Sequence, residues 1–408
     1  MPLAQRGRPA LAPRQKIHAD IRMVQALRAA ACVMVVIYHA RLAAGGGAAI
    51  RAWPNGAAGV DLFFVVSGYV MVASSRGLRR QPDGWRVFLA RRARRIVPLY
   101  WLLTAAKLGV TAWAPALTPH TRPTAWNLGA SLLFIPARDA AGFIRPVLPV
   151  GWSLNFEFFF YALFAAALAL RLSPLWLAPV LGAVAAAGFF YTPAWPAPLV
   201  LANGMVLEFA AGMALASVPL LLTRRAAVVL LAVALALLLT LPQAGPWRFL
   251  VWGLPAAAVL AAALALEGAV GARVPTWVLA VGDASYAIYL VHPFMVPAVA
   301  GHGRVAEVAS VLVSVVAGLL VHRQVDARMQ RWLRGVGSER PGLCPGPLGP
   351  VGPRPHFMCS ESGIDAELKG QSHSSARLYK RLPPRSAYDS GGTPSGVQGA
   401  EPPGRRSH

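Results

Sequence analysis

The sequence is short of charge, of acid and of cysteine. Only 13% of its 408 residues are Asp, Glu, Lys or Arg, while 56% are hydrophobic, and mean hydropathy is +0.50. So few charges cannot cover a soluble domain of this length, and the balance belongs to chains that cross a membrane repeatedly. Three cysteines occur, Cys32 in an apolar run and Cys344 and Cys359 near the C-terminus, which excludes a disulfide framework or a cysteine metal site. No metal is expected. Acids number 16 against 39 Lys and Arg, for a formal net charge of +23. Nucleic-acid binding also needs such an excess, but here the basic residues form short clusters between long apolar runs. Loops on the cytoplasmic side of a membrane look like this, so membrane lipids and no nucleic acid are the expected partners.

A spanning helix needs about 20 mostly apolar residues, and candidate runs lie at 23–42, 58–75, 96–113, 150–170, 175–192, 199–220, 226–241, 249–266, 277–298 and 305–322. The expected fold is therefore all-α, a polytopic integral membrane protein of about ten transmembrane helices. With the N-terminus cytoplasmic, the arginine clusters of 76–95, 224–225 and 323–334 all fall inside, so both termini are expected in the cytoplasm and the chain in the plasma (inner) membrane. Residues 1–22 read as a basic cytoplasmic segment, 23–334 as the membrane domain, and 335–408, rich in Pro, Gly and Ser without apolar periodicity, as a disordered tail. The first apolar run reads as an uncleaved anchor. The 114–149 connection, rich in Pro and Trp, is expected at the outer interface or re-entering it.

Polar and ionisable groups inside spans are expensive and are functional candidates. Arg28 and His39 lie eleven residues apart in the first span, roughly 16 Å along one side of a helix. Either they hold an anion and move a proton, or they are a snorkelling anchor and an interfacial imidazole. Asp61 opens the second span, either to orient an imidazole or to cap its helix, with Ser67 at mid-depth and Gly68 small enough for close helix packing. Arg91, Arg92, Arg94 and Arg95 serve equally as an orientation signal or as bidentate phosphate ligands. The fourth span, PVGWSLNFEFFFYALF, carries Trp152, Asn155 and Glu157, a carboxylate that needs a partner. Glu208 is a further buried acid with no partner evident in its own span. In GDASYAIYLVHPF the Asp283 and Ser285 pair superficially matches a lipase block, but on a spanning helix Asp283 is expected to cap, and His292 lies at a depth comparable with His39.

Taken in order, LRAAACVMVVIYHA, GVDLFFVVSGYVM, FLARRARRIVPLYW, GWSLNFEFFFY and GDASYAIYLVHPF resemble the membrane-bound acyltransferase-3 family, in its exopolysaccharide and O-antigen acetyltransferase branch, over residues 23 to about 334. The family's arginine and histidine eleven residues apart match Arg28 and His39. Its paired arginines match Arg92 and Arg95 or, in the other register, Arg91 and Arg94. The resemblance implies transfer of an acetyl group from acetyl-CoA, the donor substrate, to a hydroxyl of a glycan or lipid-linked saccharide. It implies catalytic roles for His39, Glu157, Asp61 and His292, donor binding by Arg28, Arg91, Arg92, Arg94 and Arg95, and acceptor contacts from Asn155, Ser67 and Trp152. Direct transfer and a transient acetyl-histidine both remain open. Some relatives append a soluble transferase domain; the tail here is too short and too poor in apolar periodicity for one, so the membrane domain is expected to complete the transfer. A transporter or flippase for a lipid-linked sugar or exopolysaccharide precursor is the competing expectation, although repeated halves are not visible.

Overall fold

The computed structural model describes residues 21–338 apart from 116–117, 119–120, 122, 243–244 and 300, and at 45–52 and 334–338 it describes the backbone alone. The expected disordered tail beyond Ser338 and the segment before Ile21 lie outside the described residues. Twelve α-helices follow in order: α1 (Arg22–Ala52), α2 (Gly59–Ser74), α3 (Gly84–Trp113), α4 (Ala125–Leu132), α5 (Trp152–Ala169) and α6 (Leu177–Ala187), then α7 (Val206–Ser217), α8 (Arg224–Thr240), α9 (Leu254–Val270), α10 (Thr276–Ala298), α11 (Gly303–Val321) and α12 (Ala327–Ser338). Strand structure among the described residues is confined to one isolated bridge between Arg138 and Ile144.

Seven helical segments are long and apolar enough to cross a membrane: Arg22–Ala44, Pro54–Ser74, Gly84–Trp113, Pro149–Ala169, Gly245–Arg273, Thr276–Ala298 and Gly303–Leu333. At the three other expected positions the helices are shorter, with α6 extended by 3-10 turns to Pro174–Phe190, α7 at Val206–Ser217 and α8 at Arg224–Thr240. The surface carries the same message, since α8 exposes Val228, Val229 and Val233 and α11 exposes Val305, Val308, Leu312, Val316 and Leu320. Apolar faces of this extent suit lipid and not water. The chain is an all-α polytopic membrane protein.

Two expected boundaries move. The third span was placed from residue 96, but α3 starts at Gly84, because arginines end an apolar run without ending a helix. Arg91 to Arg95 consequently stand on a rigid helix. Likewise the helix that carries the last expected span, 305–322, does not end there but passes through a π-turn at His322–Asp326 into α12, which runs to Ser338.

Small residues set the helix crossings. A Cβ on Gly68 would sit 2.9 Å from the backbone of Phe209 on α7, and one on Gly212 would sit 2.7 Å from the Tyr69 nitrogen on α2. The expectation for Gly68 therefore holds, and Gly212 serves the same crossing from the α7 side. On α11 the buried residues are Ala306, Ser310, Ser314 and Gly318, a small residue every fourth position, packed toward α10. Aromatics fill the remaining core, with Phe209 stacked between Phe64 at 4.7 Å and Phe160 at 4.5 Å. Helix ends are closed by side chains: Glu267 accepts from the Arg22 and Met23 N–H groups, and Thr124 and Thr223 cap α4 and α8.

The 114–149 connection packs onto the bundle through Leu148, which is fully buried, and Phe134, stacked on Phe158 at 3.7 Å. Asp139 holds this connection together. Its carboxylate accepts from Arg145 and from the backbone N–H groups of Ala141 and Phe143. Burial alone would raise its pKa, but those donors outweigh burial and hold the carboxyl below its ordinary value.

Candidate active site

Two helices running side by side build the centre of the site. Arg28 of α1 donates to the Ser285 hydroxyl of α10 at 3.0 Å, and further along the same helices the rings of His39 and His292 lie 4.9 Å apart. Lower and higher partners match in the same order, so α1 and α10 run parallel, and the eleven-residue spacing does place Arg28 and His39 on one side of α1. Gly282 permits the approach: a Cβ there would lie 2.9 Å from the Gln25 backbone.

His39 is oriented by its own helix. Its Nδ1 is 2.9 Å from the Val35 carbonyl, and because a carbonyl only accepts, Nδ1 carries the hydrogen and Nε2 presents its lone pair. The backbone thereby takes the orienting role expected of Asp61. Asp61, 0% exposed, gives both carboxylate oxygens to the guanidinium of Arg248, at 2.9 and 2.7 Å, and that same guanidinium reaches the Ala57 carbonyl and covers the Trp252 ring. A bidentate buried pair of this kind ties α2 to the turn that leads into α9 and commits Asp61 to Arg248. Glu208, which had no evident partner in its own span, lies in the electrostatic field of this pair.

Glu157 faces a different space. One oxygen accepts from Ser67 at 2.9 Å and from Tyr161 at 2.8 Å, and the carboxylate lines a chamber of about 820 Å³ of empty space together with Arg28, Arg92, Arg95, Ser285 and Tyr289. A second, wider space of about 1610 Å³ lies beside it, a vestibule lined by Arg28, Arg91, Arg94, Arg95, Asp283 and Gln330 among others. Arg28, Arg95 and Tyr286 line both, so the two spaces meet at these side chains. The two possible arginine registers thus separate: Arg92 and Arg95 reach the chamber, while Arg91 and Arg94 reach the vestibule alone. Asp283, expected to cap α10, sits seven residues inside a helix that starts at Thr276 and faces the vestibule instead.

Neutral groups hold the arginines. Arg28 donates to Gln25 and Ser285, and Arg92 donates to Ser74 and lies over the rings of Phe88 and Tyr161. Among the described residues none of Arg28, Arg91, Arg92, Arg94 and Arg95 forms an ion pair, although Asp283 and Asp326 share the vestibule, the latter paired with His322. Pro98 lacks an N–H and leaves the Arg94 carbonyl without its helical donor. Gln330 of α12 supplies one, donating to the Arg94 carbonyl at 2.9 Å and to that of Arg95 at 3.2 Å.

At its far end the chamber is bordered by Ser153 and Tyr289, whose hydroxyls are 2.8 Å apart, and the Tyr289 ring is 5.8 Å from that of His292. His292 is fully buried and, among the described residues, neither ring nitrogen meets an aligned hydrogen-bond partner. Asn155 is buried with its carbonyl oxygen likewise unmet, while Trp152 packs edge-on against Phe64 and Phe156, outside the chamber lining. Residues missed in the sequence are Tyr289, Ser153, Tyr286, Arg248 and Gln330. Ser285, Tyr289 and His292 follow one another at intervals of four and three, a single helix face that the sequence carried openly.

The histidine pair lies beyond an arginine-lined chamber in a membrane bundle, and the comparisons name the class of protein. A sequence family described as an acyltransferase domain matches residues 22–321, and the chain belongs to this acyltransferase-3 family; it is a membrane acyltransferase. The exopolysaccharide production protein ExoZ of Rhizobium meliloti (strain 1021) is 35% identical over 300 residues, 70% of this chain and 92% of that protein. No solved structure matches.

Proposed function

We propose that the chain is an O-acetyltransferase that moves an acetyl group from acetyl-CoA to a hydroxyl of an exported glycan, with its arginine mouth on the cytoplasmic side of the inner membrane. The observation that carries this reading is the set of five arginines around one mouth, none of them in an ion pair among the described residues and outnumbering the three carboxylates that share the two spaces. Unpaired cations so enclosed are costly unless an anion arrives, and the phosphates of a CoA thioester are anions of the right kind for guanidinium forks. The glycan acceptor is inferred from the name of the related exopolysaccharide production protein.

In this reading Arg91 and Arg94 meet the donor in the vestibule, Arg28, Arg92 and Arg95 draw it into the chamber, and the thioester end is directed past Tyr289 toward the histidines. The Nε2 lone pair of His39 takes the proton of the acceptor hydroxyl as its oxygen attacks the thioester carbonyl. A C–O bond forms, the C–S bond breaks, and the proton passes from the imidazolium to the departing thiolate. His292 and Asn155, with polar atoms unmet by the protein, receive the acceptor hydroxyl or the developing oxyanion. Glu157 balances the arginine charge at mid-chamber.

Purified full-length protein given labelled acetyl-CoA and a glycan acceptor tests this directly. Ester formation is expected, with His39→Ala slower by roughly 10²- to 10⁴-fold. Absence of transfer by the wild type rejects the activity, and undiminished transfer by His39→Ala rejects that residue's role.

A further inference from the structure

Between residues 21 and 338 the sequence contains a single lysine, Lys107, against many arginines. It stands on α3 and is buried, with 8% exposure. Its ammonium lies 5.7 Å from the centroid of the Phe294 ring on α10, and no carboxylate pairs with it among the described residues. Buried amines without a counter-ion are rare because desolvation of the charge is uncompensated.

Its depth follows from the helices that carry it. The Tyr286 hydroxyl of α10 donates to the Ile96 carbonyl of α3 at 2.7 Å, which puts the two helices in register. Lys107 is eleven residues past Ile96, about 16 Å at 1.5 Å per residue, and Phe294 is two residues past His292. The ammonium therefore lies beyond the histidine pair as seen from the arginine mouth.

Along the same face of α3, at intervals of four and three, come Tyr100, Thr104 and Lys107, all buried. The Tyr100 and Thr104 hydroxyls neighbour each other without an aligned hydrogen bond and meet no other protein partner. Together with the carbonyl oxygen of Asn155 and the ring of His292, this surrounds the level of the histidines with polar atoms that meet no aligned partner among the described residues. A polar ligand satisfies such atoms, and a cation at the end of the row selects its charge.

The geometry points to Lys107 as the recognition site for an anionic group on the acceptor, with Tyr100 and Thr104 facing the sugar hydroxyls between that anion and His39. The shared chemistry is an anionic oxygen cluster, supplied either by the diphosphate of a lipid-linked saccharide or by the carboxylate of an acidic sugar. This assignment rests on the proposed acetyl transfer and adds what the acceptor must carry. Donor and acceptor anions are then kept apart, five arginines serving one and one lysine the other.

The test uses the full chain with three acceptors: a glycan on a polyprenyl diphosphate, a lipid-free glycan containing glucuronate, and its neutral glucose counterpart. Lys107→Gln is expected to raise KM for one or both anionic acceptors roughly tenfold or more, a loss typical of removing one partner of a desolvated charge pair. KM for acetyl-CoA and for the neutral acceptor stays unchanged, and Lys107→Arg restores anionic acceptor use. The anionic acceptor that responds identifies the source of the charge. Equal KM values for all acceptors in Lys107→Gln, or an equal rise for neutral and anionic ones, overturns the assignment. If the wild type transfers to none of the three, the proposed activity fails, and equilibrium binding of geranylgeranyl diphosphate and of a glucuronate disaccharide decides the site: weaker binding of either probe by Lys107→Gln supports it, and unchanged binding of both overturns it.

Discussion

Arginines in two parts of this bundle are held in opposite ways. Arg248, Arg145 and Arg41 each meet a carboxylate, from Asp61, Asp139 and Glu307 respectively. Arg28 and Arg92, at the mouth, meet amides, hydroxyls and rings instead, and no ion pair forms there among the described residues. A carboxylate fixes a guanidinium and consumes its charge, whereas a neutral partner positions the group and leaves the charge available. The first arrangement ties elements together. The second suits the anionic donor proposed above, and the contrast predicts that arginines of the first kind matter for folding and those of the second for binding.

The largest effect expected from breaking this contrast is at Asp61. Asp61→Ala strands a buried guanidinium and should cost about 3–5 kcal/mol of stability, seen as a lower unfolding temperature; an unchanged transition would show the pair to be dispensable. Arg95→Gln should do the reverse. It lines both spaces, so KM for acetyl-CoA should rise roughly ten- to a hundredfold, the loss of a charged hydrogen bond of about 1.5–3 kcal/mol, with the unfolding transition in place. A fall in stability instead would place Arg95 with Arg248 in the structural class.

A smaller effect is expected at Gln330. Gln330→Leu leaves the Arg94 carbonyl without a donor, at about 1 kcal/mol for one hydrogen bond, and should raise KM for the donor several-fold while kcat holds. Adding Pro98→Ala gives α3 its own N–H and should restore the wild-type value; failure of that rescue would separate Gln330 from the proline. The smallest effect belongs to the Asp139 loop. Its carboxyl titrates below the ordinary value of about 3.9, so its contribution is complete above that pH and is lost as the pH falls through the lowered folded-state value. Asp139→Asn should remove this acid dependence, checked by proteolysis of the 133–149 loop across the pH range, and a wild-type loop indifferent to acid would contradict it.

Much of the fold was legible because hydropathy, glycine and charge act locally. A run such as 277–298 is apolar whatever it packs against, and α10 covers Thr276–Ala298. The helix lengths past the membrane were less legible, since the arginines of α3 end an apolar run but favour helix, and the same holds for α12. Within the site, the spacing of Arg28 and His39 survived as a shared face because helical periodicity alone fixes it. Partners did not survive. Asp61 was read against His39, the nearest titratable residue of interest in the sequence, yet its counter-ion is 187 positions away.

The sequence by itself determined that this is an all-α membrane protein of the acyltransferase-3 family, with arginine at one depth and histidine at another, since composition, period and ordered motifs are properties of single segments. Only the tertiary structure decided which arginines reach the chamber, that Val35 sets the His39 tautomer, that Arg248 claims Asp61, and that Lys107 has no carboxylate paired with it among the described residues. Each of these depends on which helices are neighbours, and a helix's neighbours are set by the packing of small residues such as Gly68, Gly212 and Gly282 across crossings that no single segment encodes.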